Sequence, residues 1–105
     1  MQIQVNTDSN IEGREKLTAY VESVVESALN RFSDRITRVE VHLSDQTGDK
    51  SGQDDKRCMM EARLNGRQPT AVTHDAATLD QAVDGAADRI QRSIESSLGR
   101  LQDQG

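Results

Sequence analysis

Between Arg57 and Leu101 an alternating strand, an Asn-Gly turn, a short Pro-containing strand and one long amphipathic helix follow one another almost without interruption. Such an ending leaves the chain few folds to choose from. Residues 56–64 put Cys58, Met60, Ala62 and Leu64 on one face and Arg57, Met59, Glu61 and Arg63 on the other, the period of a half-buried strand. Asn65-Gly66 favours a type I′ turn and hence a tight hairpin. Pro69 has no N–H to offer a neighbour and points to an edge strand. Thr78 can cap a final helix whose apolar stripe is Leu79, Ala82, Val83, Ala86, Ile90, Ile94, Leu98 and Leu101.

The N-terminal half supplies the rest of the domain. Residues 1–7 alternate, with Ile3 and Val5 opposed to Gln2, Gln4 and Asn6, and Asp8-Ser9-Asn10 is a turn cluster. Helical spacing follows: Leu17, Val21 (with Tyr20), Val24, Ala28 and Phe32, with Glu15, Glu22, Glu26 and Arg31 between them. The acid-early order suits the helix dipole. Gly13 is the best N-cap on offer, although Ser, Thr, Asp or Asn would be stronger. Residues 36–44 form a second strand with Val39, Val41 and Leu43 inward and Arg38, Glu40 and His42 outward. Residues 44–55 contain no apolar side chain and read as a mobile hairpin loop.

A strand, a helix and an adjacent strand make a right-handed crossover, and the remaining strands a meander. Both helical stripes must then bury themselves on one sheet face, since the other alternates in polar residues. The expectation is an α+β fold: a single β-α-β-β-β-α domain over residues 1–101 with a polar tail at 102–105. Its four-stranded mixed sheet has the order 1-2-3-4, strands one and two parallel, with two helices on one face and the other face open to solvent.

One domain suits 105 residues. With 33% apolar residues, and Tyr20 and Phe32 the only aromatics, its core should be thin and aliphatic. A net charge of −5 argues against a generic polyanion binder, because nucleic-acid affinity comes mostly from Lys and Arg on phosphates. Residues 33–74, however, carry 7 bases against 7 acids, so basic side chains are densest in the strands and a local patch is compatible with the tally. The lone Cys58 forbids an intrachain disulfide and any Cys-based metal site; its inward parity makes it a core residue of low reactivity. Neither a leader pattern nor an apolar run near 18 residues occurs, and a cytoplasmic protein is expected.

Chemistry-bearing patterns are few. The loop opening at Asp45 has Lys50 where an EF-hand needs Gly and Lys56 where it needs a bidentate Glu, so it reads as a solvated loop. His42 and His74 share no metal spacing and accompany no nucleophile elbow; they read as surface or hydrogen-bonding residues. No cofactor, metal or small-molecule substrate is expected. The basic residues offer more. Arg35 and Arg38 flank the start of the second strand, Lys56, Arg57, Arg63 and Arg67 line the following hairpin, and Arg89 and Arg92, three apart, share a helix face. Together they could hold phosphates; with Glu40, Glu61, Asp88 and Glu95 beside them they could equally be a mixed-charge surface, which charge alone favours.

The wording of three segments bears on that choice. Met1-Gln2-Ile3, Phe32-Ser33-Asp34-Arg35-Ile36-Thr37-Arg38-Val39-Glu40-Val41-His42-Leu43, and Ala82-Val83-Asp84-Gly85-Ala86-Ala87-Asp88-Arg89-Ile90-Gln91-Arg92-Ser93-Ile94 resemble the ribosome hibernation-promoting factor / ribosome-associated inhibitor A family, also called the sigma-54 modulation family. The resemblance covers essentially the whole chain. It implies the same fold and a non-enzymatic role in translation regulation under stress or in stationary phase. The protein would bind the small ribosomal subunit, or the assembled ribosome, in the mRNA/tRNA channel and keep it silent. It implies rRNA contacts by Arg89, Arg92 and Arg35; Arg38, Lys56, Arg57, Arg63 and Arg67 extend the rRNA-binding set by their charge and outward placement. Ser23, Val24, Val25, Glu26 and Ser27 stand where the family's first helix is often lysine-rich, so fewer phosphate contacts are expected here. The extra C-terminal domain of long members is not expected. A second reading keeps the fold as a protein-interaction or regulatory module with weakened rRNA binding, using the acidic helices and an exposed Met59. A third, an enzyme, would rest on His42 and His74 alone.

Overall fold

Alternation and helical spacing fix where the chain turns over, and the computed structural model follows them closely. It describes residues 1–8, 13–45 and 55–104, with side chains as far as Gly99. The order is β1 (Gln2–Thr7), α1 (Arg14–Leu29), a 3₁₀ turn at Asn30–Phe32, β2 (Ile36–Asp45), β3 (Lys56–Leu64), β4 (Thr70–Ala76) and α2 (Leu79–Gln104). One sheet of order β1-β2-β3-β4 results, β1 and β2 parallel and the other pairs antiparallel. This is the α+β arrangement the sequence predicts. Gly13 is the N-cap of α1, with φ 68° and no side-chain hydrogen bond. Thr78 caps α2, its Oγ1 accepting from the Gln81 N–H at 3.1 Å.

A single aliphatic layer fills the space between sheet and helices. Val39, Val41, Cys58, Met60 and Ala62 rise from the sheet to meet Val21, Val25 and Leu29 of α1 and Ala82, Val83, Ala86, Ile90 and Ile94 of α2. Among the described residues no polar or charged side chain is buried. Burial pushes the Cys58 thiol up to about 12, so it packs as a small apolar group and not as a thiolate.

Four details depart from simple counting. The buried row of α1 is Leu17, Val21, Val25 and Leu29, whereas Val24, Ala28 and Phe32 of the predicted stripe are half-buried. A helix lying on a sheet beside a second helix buries two rows, and Val24 and Ala28 line the groove toward α2. Ile36 has the outward parity of Arg38, yet it is buried, because a register shift between Ile36 and Arg38 returns it to the core. Asn65-Gly66 does not form a type I′ turn. Only Gly66 has positive φ (68°), and residues 65–69 connect β3 to β4. Asn65 instead secures the start of β2: its N–H donates to the Arg35 carbonyl at 2.9 Å and its Nδ2 to the Asp34 carbonyl at 3.3 Å. Ser44 and Asp45 continue β2; the rest of the predicted mobile loop, 46–54, lies outside the described residues.

Candidate nucleic-acid interface

Strand direction decides where the arginines meet. β2 begins and β3 ends at the same end of the sheet, so Arg38 and Arg63 are register partners there. The 3₁₀ turn that closes α1 delivers Arg31, Phe32 and then Arg35 to that end, and the 65–69 connection adds Arg67. Backbone bonds hold them: the Arg35 N–H donates to the Phe32 carbonyl at 2.8 Å, and the Arg67 guanidinium to the Ser97 carbonyl of α2 at 3.2 Å. Arg38 donates to Gln4 of β1 and to Glu40 at 3.3 Å. Arg31 lies over the Phe32 ring, 4.7 Å from its centroid, and pairs with Glu95 of α2. Arg35 and Arg63 form no ion pair among the described residues and remain exposed. Arg31, Phe32, Arg35, Glu95, Leu98 and Gly99 line an open cleft of about 380 Å³.

The opposite end of the sheet is electrically quiet. Lys56 Nζ sits 3.1 Å from Asp45 and 3.2 Å from Asp55, whose hydrogen bonds, the Asp45 one foremost, hold the ammonium above its ordinary pKa. Arg57 grips Asp75 through two bonds of 2.8 and 3.3 Å and keeps that carboxyl below the usual carboxylate range. Arg57 and Arg63 lie on one face of β3, six residues and roughly 20 Å apart. The predicted basic set therefore divides, with Arg35, Arg38, Arg63 and Arg67 together and Lys56 and Arg57 away from them, opposite carboxylates.

Arg89 and Arg92 occupy a third place. Arg89 donates to the Thr73 carbonyl at 3.4 Å and fastens α2 to the edge strand β4, while exposed Arg92 pairs with Asp88 at 3.1 Å. The groove between the helices is lined by Ser23, Val24, Ser27 and Ala28 of α1 and by Asp84, Ala87, Asp88 and Gln91 of α2. At its margin the Tyr20 hydroxyl donates to Asp84 at 2.6 Å. That bond, with partial desolvation and the nearby carboxylates, pushes Tyr20 up to about 12. Two carboxylates and no basic side chain line this groove, with Arg92 paired to Asp88 at its edge, so it offers a phosphate little.

On the open sheet face, Arg38 opposite Arg63 is followed by Glu40 opposite Glu61 and then His42 opposite Met59. Met59 is half-buried there, less available as an anchor than its parity implies. His74 has the opposite parity and lies against Gly85 of α2, where an added methyl would overlap its ring. The histidines are thus on different faces. Among the described residues no group of three or more His, Cys, Asp or Glu could hold a metal ion, and no helix is long and apolar enough to cross a membrane.

Sequence reasoning left Arg31 out of the site, taking it for a solvated residue between apolar positions. A signal existed: it adjoins Phe32, one of the chain's two aromatic residues, and lies four residues before Arg35.

The family model described as "Sigma 54 modulation protein / S30EA ribosomal protein" matches residues 3–102. The chain belongs to this family. Among solved structures, the Protein Y N-terminal domain of Thermus thermophilus superposes with a TM-score of 0.73 at 26% identity, covering 91% of this chain and 98% of that one. A ribosomal subunit interface protein from Coxiella burnetii gives a TM-score of 0.69 at 13% identity, covering 94% of this chain and 99% of its own, and shares the fold. No curated protein matches. S30EA membership places the arginine end, the acidic groove and the carboxylate-matched end on a scaffold common to these relatives.

Proposed function

We propose that this S30EA-family protein is a non-enzymatic translation silencer of the cytoplasm that binds the small ribosomal subunit through rRNA phosphates. It silences by occupying the mRNA/tRNA channel under stress or in stationary phase. The observation that carries the reading is the gathering of Arg31, Arg35, Arg38, Arg63 and Arg67 at one end of the domain, with Arg35 and Arg63 in no ion pair among the described residues. Cations already matched to carboxylates gain little from a phosphate, since one partner only replaces another. Arg35 and Arg63 gain most, and releasing condensed counterions from the RNA drives the association. The acidic groove between the helices turns that face away from rRNA, which orients the protein with its arginine end inward.

Co-sedimentation with purified small subunits tests this. The Arg35→Ala/Arg63→Ala double variant should bind about tenfold more weakly than wild type, its salt slope shallower by about two. Arg57→Ala should bind as wild type does. Equal loss in both variants would contradict the assignment of the arginine end.

The acidic groove favours a second reading, a regulatory module that binds a basic protein segment. Capture from lysate that returns only ribosomal components counts against it.

A further inference from the structure

We propose that the cleft between the Asn30–Phe32 turn and the C-terminal half of α2 is a stacking site for one nucleotide of single-stranded RNA, a finer statement that rests on the ribosome-binding reading. Phe32 is one of two aromatic residues in the chain, and its packing against the core fixes the ring. The Arg31 guanidinium lies over that ring with its Cζ 4.7 Å from the centroid, and the Glu95 carboxylate holds it from α2. Attraction to the ring quadrupole and the ion pair therefore constrain the same planar cation from two directions. The pair adds little to stability at its exposed position, where the Arg31 side chain is 60% accessible. Its consequence is a guanidinium held in place over the ring, with most of the side chain still accessible from the cleft.

Guanidinium planes are surfaces on which unstacked bases lie, and such stacking tolerates any base. The cleft, about 380 Å³, falls in the range of small-ligand sites, with Leu98 as an apolar wall and Gly99 keeping the α2 surface low beside it. Arg35, four residues beyond Arg31 and in no ion pair among the described residues, supplies the charge for the attached phosphate. Stacking plane, apolar wall and phosphate partner thus converge within one cleft.

Titration of the full-length protein with single-stranded hexa-adenylate and, separately, with adenosine 5′-monophosphate tests this. NMR follows the ring resonances of Phe32, the chain's only phenylalanine. The RNA should shift those resonances saturably, and Arg31→Gln should weaken its binding about fivefold or more, while Arg57→Ala binds as wild type. Arg31→Gln leaves Phe32 and the core in place, and its unfolding midpoint verifies the fold. RNA binding that leaves Phe32 unshifted and Arg31→Gln unimpaired overturns the stacking site while the ribosome-binding reading stands. Phe32 shifts that persist in a protein that fails to co-sediment with ribosomes support the site and remove the wider reading. Saturation by the mononucleotide at as low a concentration as by the hexamer overturns the assignment to RNA.

Discussion

Tyr20 reports a single contact between the helices, because it is the only tyrosine in a chain without tryptophan. Its hydroxyl donates to Asp84, and its pKa is raised to about 12. The folded state thus holds this proton more tightly than the unfolded chain, whose tyrosine ionises near 10. The bond contributes fully to stability below pH ~10, and that contribution is lost as the pH climbs through about 12. Tyrosinate absorbance should show one late transition, and Asp84→Asn should bring it back toward 10. A wild-type midpoint at 10 would mean that the bond does not persist in solution. Neither partner was legible as such in the sequence, where Tyr20 counted as part of an apolar stripe and Asp84 carried no separate reading. A contact between residues 64 positions apart emerges only once the two helices lie side by side.

Element by element, legibility followed the simplicity of the surroundings. β3 lies between two neighbours, with helices on one face and solvent on the other, so its alternation gives both faces and both bounds. α1 has a sheet beneath and a helix beside it, and a single stripe cannot describe two contacts; Val25 and Leu29 were missed for that reason. The tight Asn65-Gly66 turn was misread because Asn65's ties to Asp34 and Arg35 override local turn preference, and a register shift between Ile36 and Arg38 buries Ile36 against its local parity. Gly85 gives the sharpest test at this scale. In a helix interior Gly→Ala ordinarily stabilises by about 0.5–1 kcal/mol. Here the added methyl meets the His74 ring, and Gly85→Ala should instead cost about 1–3 kcal/mol in urea unfolding. In a His74→Ala background the same change should stabilise, a reversal that only direct contact produces. A Gly85→Ala protein more stable than wild type would show that α2 does not approach β4 so closely.

For the whole molecule, the charge tally conceals what matters. Residues 33–74 are neutral in sum, but the antiparallel path carries Arg35, Arg38, Arg63 and Arg67 to one end and leaves Asp45, Asp55 and Asp75 with Lys56 and Arg57 at the other. The candidate residues could be read from the sequence; that Arg35 and Arg63 stand in no ion pair among the described residues, while Lys56, Arg57 and Arg92 face carboxylates and Arg89 a backbone carbonyl, needed the strand register and the helix packing. An acidic chain can bind RNA on these terms, since affinity depends on phosphate contacts at the interface and not on net charge. The measurement that tests this most directly is co-sedimentation of the wild-type protein with small ribosomal subunits across a salt series. Binding should weaken steeply, the logarithm of affinity falling linearly with the logarithm of salt at a slope of about −2 to −4 for a few phosphate contacts. Absence of binding at low salt, or binding indifferent to salt, would contradict it.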